Sequence, residues 1–204
     1  MEKKKLKTYR VKLVEKPEFY ANSLVQDPAI EVGFVAFNSV KPVMFSSDEK
    51  RNVTGPIMVA DKPILRYDGS EYYNVIFSKE DIADAMHIFG KNDQLSNTTL
   101  HHEDKASNGD IYLIEQWQIE NENDKAYNLF SKEEVPVGSL MRTYHIVSDD
   151  IWNKVKTGEF QGFSVEIVYD LMTDVEQEEA EAIDYLFSLP EDVIKSILDE
   201  EIDQ

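Results

Sequence analysis

Residues 52–81 read NVTGPIMVADKPILRYDGSEYYNVIFSKED, and the fold class turns on them. Short apolar runs are punctuated by Gly55-Pro56, Lys62-Pro63 and Asp68-Gly69. β-branched and aromatic runs bounded in this way predict strands. Asp68-Gly69, set between Leu65-Arg66-Tyr67 and Tyr72-Tyr73-Asn74-Val75-Ile76-Phe77, predicts a hairpin, because tight strand-to-strand turns use backbone that Gly and Asp tolerate. The stretch therefore reads as a β-meander. The period then changes: Ser78 is followed by Asp81, and Ile82, Ala85, Met86 and Phe89 recur at helical spacing until Gly90. That pattern predicts a capped helix over roughly 79–89.

Outward from this stretch the chain is again mostly strand. KTYRVKLVEK alternates Tyr9, Val11 and Leu13 with polar partners, and IEVGFVAFNSV suits a buried strand. Ser148, followed by Asp149 and Asp150, opens a second helix with Ile151, Trp152 and Val155 on one face and Gly158 past its end. It leads into EFQGFSVEIVYD, in which Phe163, Val165, Ile167 and Tyr169 alternate with Gly162, Ser164, Glu166 and Val168, a strand. No internal repeat is visible. Many short strands with two helices make an α+β domain over residues 1–171, followed by a tail, 172–204, that reads as two acidic amphipathic helices broken at Pro190.

Composition narrows the functional classes. The 204 residues suffice for one well-cored domain with an appendage, and 42% apolar residues with 10 Phe, 10 Tyr and 2 Trp exclude global disorder. With no cysteine, the chain has no disulfide framework, no thiolate nucleophile and no cysteine zinc site. No run approaches the ~18 apolar residues of a membrane span, and MEKKKLKTYRVKLVEK has no apolar segment behind its basic start, so a soluble, intracellular protein is expected. A formal charge of -19 disfavours binding to a phosphate backbone, so no nucleic-acid partner is expected. Residues 172–204 hold twelve Asp/Glu against one Lys and carry most of that imbalance.

Three features invite chemistry. In IYLIEQWQIE, the face Ile111, Leu113, Glu115, Trp117, Ile119 places a carboxylate in an apolar stripe, where it needs a partner such as Arg142 or Lys154, or a functional use. Ser164 follows Gly162, whose missing side chain opens an approach to the hydroxyl; the plain alternative is an exposed strand serine beside a glycine bend. His101-His102-Glu103-Asp104 holds two of the four histidines. Neighbours on a strand face opposite ways and the His-x-x-x-His spacing of zinc hydrolases is absent, so a shared metal is disfavoured, whereas a general base needs only one imidazole. His145 and His87 read as ordinary histidines or further ligands.

The succession GPIMVADKPILRYDGSEYYNVIFSKEDI, NTTLHHED, IYLIEQWQIE and PVGSLMRTYHIVSDDIWNKVKTGEFQGFSVE, spanning residues 53–170, resembles the XkdF-like family of phage serine proteases. That family belongs with the prohead (capsid maturation) proteases of tailed bacteriophages, similar in fold to the herpesvirus assemblins. The resemblance implies a mostly antiparallel, partly closed β-barrel with short helices packed around it. It implies Ser164 as nucleophile, His102 as general base and Glu115 as third member, with His145 the competitor because the assemblins use a second histidine there. It implies no cofactor and no metal. Capsid and scaffold proteins, and the chain itself, would be the protein substrates, met inside the assembling prohead in the host cytoplasm, with a homo-oligomer possible. Two other readings stay open: a noncatalytic head or scaffold component binding capsid partners through the domain and its acidic tail, and a metal-dependent hydrolase using His101, His102 and a carboxylate.

Overall fold

The computed structural model describes residues 6–16, 20–27, 35–36, 50–106 and 109–173, and beyond these only scattered positions as far as 190. The chain divides into two compact units, Met1–Asp170 and Leu171–Gln204. The helices expected in the tail lie almost entirely outside the described residues.

In chain order the elements are β1 (Thr8–Leu13), β2 (Ala21–Val25), β3 (Val35–Ala36), β4 (Asn52–Met58), β5 (Ile64–Tyr67), β6 (Tyr72–Ile76), α1 (Lys79–Lys91), β7 (Thr98–Leu100), β8 (Asp104–Ala106), β9 (Ile111–Gln118), β10 (Leu140–Ile146), α2 (Asp149–Thr157), β11 (Gly162–Glu166) and β12 (Tyr169–Leu171). The strands form three four-stranded sheets, ordered β12-β1-β6-β5, β3-β4-β10-β9 and β11-β2-β7-β8. β1–β6 and β2–β7 run parallel. The ladders of β10 with β4 and β9, of β11 with β2, of β3 with β4, of β5 with β6 and of β7 with β8 are antiparallel. The architecture is α+β, and among the described residues the sheets form no closed barrel.

Residues 52–81 form strands but not one meander. β5 and β6 make the hairpin, with Tyr67 opposite Tyr72, Gly69 at φ +100° and the Asp68 carboxylate accepting from the N–H groups of Ser70 and Glu71. β4 departs to another sheet. From Val53 to Met58 every residue of it is buried, so both of its faces are covered, and within its sheet it is paired on both edges, by β3 and β10. Its Pro56 is accommodated at a register shift, where Leu140 faces Met58 and Met141 faces Pro56.

Both helices begin as the sequence predicts. Ser78 Oγ accepts from the Asp81 N–H and Asp81 Oδ2 accepts from the Ser78 N–H, a reciprocal capping box. Burial holds the Asp81 carboxyl above its ordinary range, against the opposing pull of Ser78. Gly90 does not stop α1, which runs to Lys91. α2 is capped by Ser148 and closed by Gly158 at φ +78°, a left-handed position suited to glycine. The strand predicted through Tyr169 breaks at Ile167-Val168 into β11 and β12.

The core joins Val11, Leu24, Ile57, Val75, Ile82, Phe89, Tyr144, Phe160 and Phe163, all essentially inaccessible. Burying each such side chain contributes roughly 1.5–3 kcal/mol. Arg142 lies fully buried among them: its Nε donates to Gln116 Oε1 (2.6 Å), its Nη1 to Tyr144 Oη (3.0 Å), and its guanidinium sits 4.6 Å over the Phe89 ring.

Candidate active site

Ser164 sits on β11 directly opposite Ser23 of β2, which in turn lies beside Thr99 of β7. Paired residues share a sheet face, so the three hydroxyls form a row across three strands. Glu166, two residues along β11 from Ser164, shares that face as well.

The turn between β7 and β8 brings the imidazole to this row. His101 and His102 both have positive φ, +51° and +65°, and the Glu103 N–H donates to the Leu100 carbonyl, the pattern of a type I′ turn. Such backbone is uncommon for residues other than glycine and costs on the order of 1–3 kcal/mol each, so surrounding bonds must hold it. They do: the His101 N–H donates to the Leu24 carbonyl and the His102 N–H to Ser23 Oγ (2.8 Å). The histidines are therefore turn residues, not alternating strand residues, and their rings diverge. His101 stacks on Phe160, with Nε2 3.9 Å from Glu159. Glu159 also lies 3.8 Å from Lys154, whose ammonium is held charged above its usual range chiefly by its hydrogen bond to Asp150. His102 points the other way, its Nδ1 3.0 Å from Glu166 Oε1.

Glu166 is itself fixed. Its Oε1 accepts from Thr99 Oγ1 at 2.6 Å, and its side chain is 30% exposed against 42% for His102. A carboxylate on Nδ1 sets the tautomer that leaves Nε2 as acceptor, the arrangement a general-base histidine requires. Ser164 and Glu166 thus share one face, and His102 reaches that face at Glu166, with the Ser23 hydroxyl holding the His102 N–H and the Thr99 hydroxyl holding Glu166. Glu166 had a signal in the sequence, the same strand face as Ser164 two residues on; Ser23 and Thr99 had none.

Glu115 is not part of this cluster. It lies on β9 in another sheet, its side chain 48% exposed and paired with the Lys125 ammonium, which also stacks on the Trp117 ring at 4.0 Å. The expected apolar stripe fails because β9 carries a bulge. Thr143 faces Glu115 while Tyr144 faces Leu113, so Ile114 is the extra residue. One extra residue exchanges the two faces of everything beyond it. Ile111 is buried and Leu113 half-buried, but past the bulge Gln116 turns inward to Arg142, and Glu115 turns out. His145 is also elsewhere: its Nδ1 meets Asn52 Oδ1 at 2.9 Å and its ring packs on Tyr112, whereas the adjacent Tyr144, on the opposite face of β10, is the residue that reaches Phe163. His87 is exposed on α1.

Beside the serine lies a cavity of about 240 Å³, lined by Phe163, Ser164, Val165 and Glu166 of β11, with Ile167, Tyr169, Ile57, Met58, Ile64, Arg66 and Phe77. Among the described residues no group of three or more His, Asp or Glu is placed to hold a metal ion, and no helix is long and apolar enough to cross a membrane.

No curated protein and no solved structure matches the chain. The family model described as "Putative phage serine protease XkdF" matches residues 39–180, a span that contains β4 through β12 and with them Ser164, His102 and Glu166. On that match the chain belongs to the XkdF family of phage serine proteases.

Proposed function

We propose that this chain is a serine endopeptidase in which Ser164 is the nucleophile, His102 the general base and Glu166 the carboxylate that orients the imidazole and stabilises the imidazolium formed when it takes the serine proton. The observation that carries this reading is the 3.0 Å contact between His102 Nδ1 and Glu166 Oε1, two residues along the strand from Ser164. Ser164 Oγ attacks the scissile carbonyl carbon while its proton passes to Nε2 of His102. Nε2 then delivers that proton to the leaving amide nitrogen, and water repeats the sequence to free the acyl enzyme. Glu166 accepts the Nδ1–H throughout and stabilises the imidazolium that forms. In this reading the substrates are capsid and scaffold proteins of an assembling phage head, and the chain itself; a match to a phage serine protease family and the strand-lined cavity beside Ser164 are in keeping with a polypeptide substrate of phage origin.

The test is to incubate the purified chain with capsid and scaffold proteins of its phage and follow products by mass spectrometry, with Ser164→Ala alongside. The unaltered chain should cleave them and itself. Ser164→Ala should leave all of them intact, with an unchanged melting temperature, since losing one half-exposed hydroxyl opens no core cavity. Equal cleavage by both proteins would remove Ser164 from the site. Assembly defects without cleavage by either would favour a noncatalytic head component.

A further inference from the structure

His101 and His102 are successive residues with left-handed backbone, and neither is glycine. Their own preferences do not choose that turn, so it persists only where neighbouring groups hold it. Besides the turn's own bond from Glu103 to Leu100, two hydrogen bonds do so, both to β2. The His101 N–H donates to the Leu24 carbonyl at 2.9 Å, a main-chain bond that any residue at 24 would supply. The His102 N–H donates to Ser23 Oγ at 2.8 Å, a bond that depends on the side chain. The surroundings of Ser23 prepare that oxygen as an acceptor. Its hydrogen has two carbonyls within reach, those of Leu24 and Thr99, each at 3.4 Å. A carbonyl only accepts, so the hydroxyl donates to one of them and keeps its lone pairs for His102. Ser23 is 0% exposed, shut off from any substrate, and stands directly across the β2–β11 ladder from Ser164. The backbone of the base is thus tied at the register position of the nucleophile.

We propose that Ser23 is a positioning residue for the base: its buried hydroxyl holds the left-handed turn in the conformation that brings the His102 imidazole to Glu166, and its loss lets the turn relax and withdraws the imidazole from the site. The consequence for rate rests on the protease reading, whereas the hold on the turn rests on the hydrogen bonds alone. Without Ser23 Oγ the His102 N–H has lost its acceptor, in a turn that already carries the steric cost of two left-handed residues. Misplacing a catalytic group by about 1 Å lowers turnover about 10²-fold, with no change in substrate affinity required. Glycine adopts positive φ at no steric cost, so glycine at 101 should offset the missing bond. A serine that only filled space would show no such compensation.

Two measurements on the full chain separate the turn from the chemistry. In the Ser164→Ala background, nitrogen NMR of histidine-labelled protein reports which ring nitrogen of neutral His102 carries the proton. The Glu166 carboxylate should hold it on Nδ1. Adding Ser23→Ala should cost His102 that tautomer while the melting curve still shows a folded chain, and adding His101→Gly as well should return it. With Ser164 present, and capsid and scaffold proteins of its phage as substrates, Ser23→Ala should lower kcat about 10²-fold with KM within about two-fold, and His101→Gly added to it should recover about ten-fold. Where Ser23→Ala melts below the assay temperature, Ser23→Cys, which replaces the oxygen by a weak acceptor, serves in the same comparison. A tautomer or a kcat indifferent to Ser23, a His102 without its proton on Nδ1 before Ser23 is altered, or losses that His101→Gly leaves untouched overturn the inference. Loss and return of the tautomer in a chain that cleaves nothing would sink the protease reading and leave the hold of Ser23 on the imidazole standing.

Discussion

His102 Nδ1 lies 3.0 Å from Glu166 Oε1, and Glu166 stands two residues beyond Ser164 on the same face of β11. One strand thus carries both the hydroxyl and the carboxylate, while the turn after β7 brings the His102 imidazole to the carboxylate. The extended backbone of β11 sets the spacing of Ser164 and Glu166, and the place of the imidazole depends on the turn, which Ser23 Oγ and the Leu24 carbonyl pin to the same sheet.

Glu166→Gln should fold normally and lose activity by about 10⁴-fold, because the amide keeps the shape but not the charge or the acceptor pair that select the imidazole tautomer. Glu115→Gln should retain full activity and shift stability by less than about 0.5 kcal/mol, since it breaks only an exposed ion pair with Lys125. Cleavage rates per folded molecule decide between them. The opposite ranking would return the third position to Glu115.

His102→Ala should lose as much activity as Ser164→Ala, and the double variant no more than either alone, since members of one catalytic unit are not additive. His101→Ala should keep most activity and instead lower the melting temperature slightly through the lost stack on Phe160. His145→Gln should be active, its imidazole being engaged by Asn52 and Tyr112. Loss of turnover in His145→Gln with an active His102→Ala would reverse the assignment.

Arg142 is a buried guanidinium bonded to neutral groups, and among the described residues its Nη2 has no hydrogen-bond partner. Replacing such a charge by an apolar side chain of similar reach is often neutral or stabilising, whereas leaving a void is not. Arg142→Met should therefore match or exceed the parent in chemical denaturation, and Arg142→Ala should fall by roughly 2–5 kcal/mol. A severe loss in Arg142→Met would show that the charge itself holds the core.

The Asp68 carboxyl is held below its ordinary range by the Glu71 and Ser70 N–H groups and the Ser70 hydroxyl. A carboxyl lowered in the folded state contributes stability that is present above its unfolded value and is lost as pH falls through the folded one. The melting temperature of the parent should thus exceed that of Asp68→Asn at neutral pH, and the two curves should converge as the pH falls below the ordinary aspartate value of about 4 and acid protonates Asp68. Glu15 and Glu122, lowered chiefly by hydrogen bonds from Lys91 and Lys132, and Glu134, lowered by the Ser131 N–H, add acid sensitivity to both proteins, so only the difference between the curves reports on Asp68. A constant gap across that range would show that the turn does not depend on the charge.

Local rules made much of this protein legible. Ser78 with Asp81, and Ser148 with Gly158, marked both helices because caps act within one turn of the chain. Asp68-Gly69 marked the β5–β6 hairpin for the same reason. The sequence by itself also placed Ser164 and Glu166 on one face of β11, since alternation is a property of the strand alone. Tertiary structure decided the rest. The bulge at Ile114 turned Glu115 outward, and it exists because β9 must stay in register with β10, a strand some thirty residues distant in sequence. The approach of His102 to Glu166 likewise depends on β2, which pairs with β7 on one side and β11 on the other, joining segments that no periodicity links. Alternation and capping arise from covalent geometry over a few residues, but which strands become neighbours is settled by the burial of both faces of β2 and β4, a property of the whole chain.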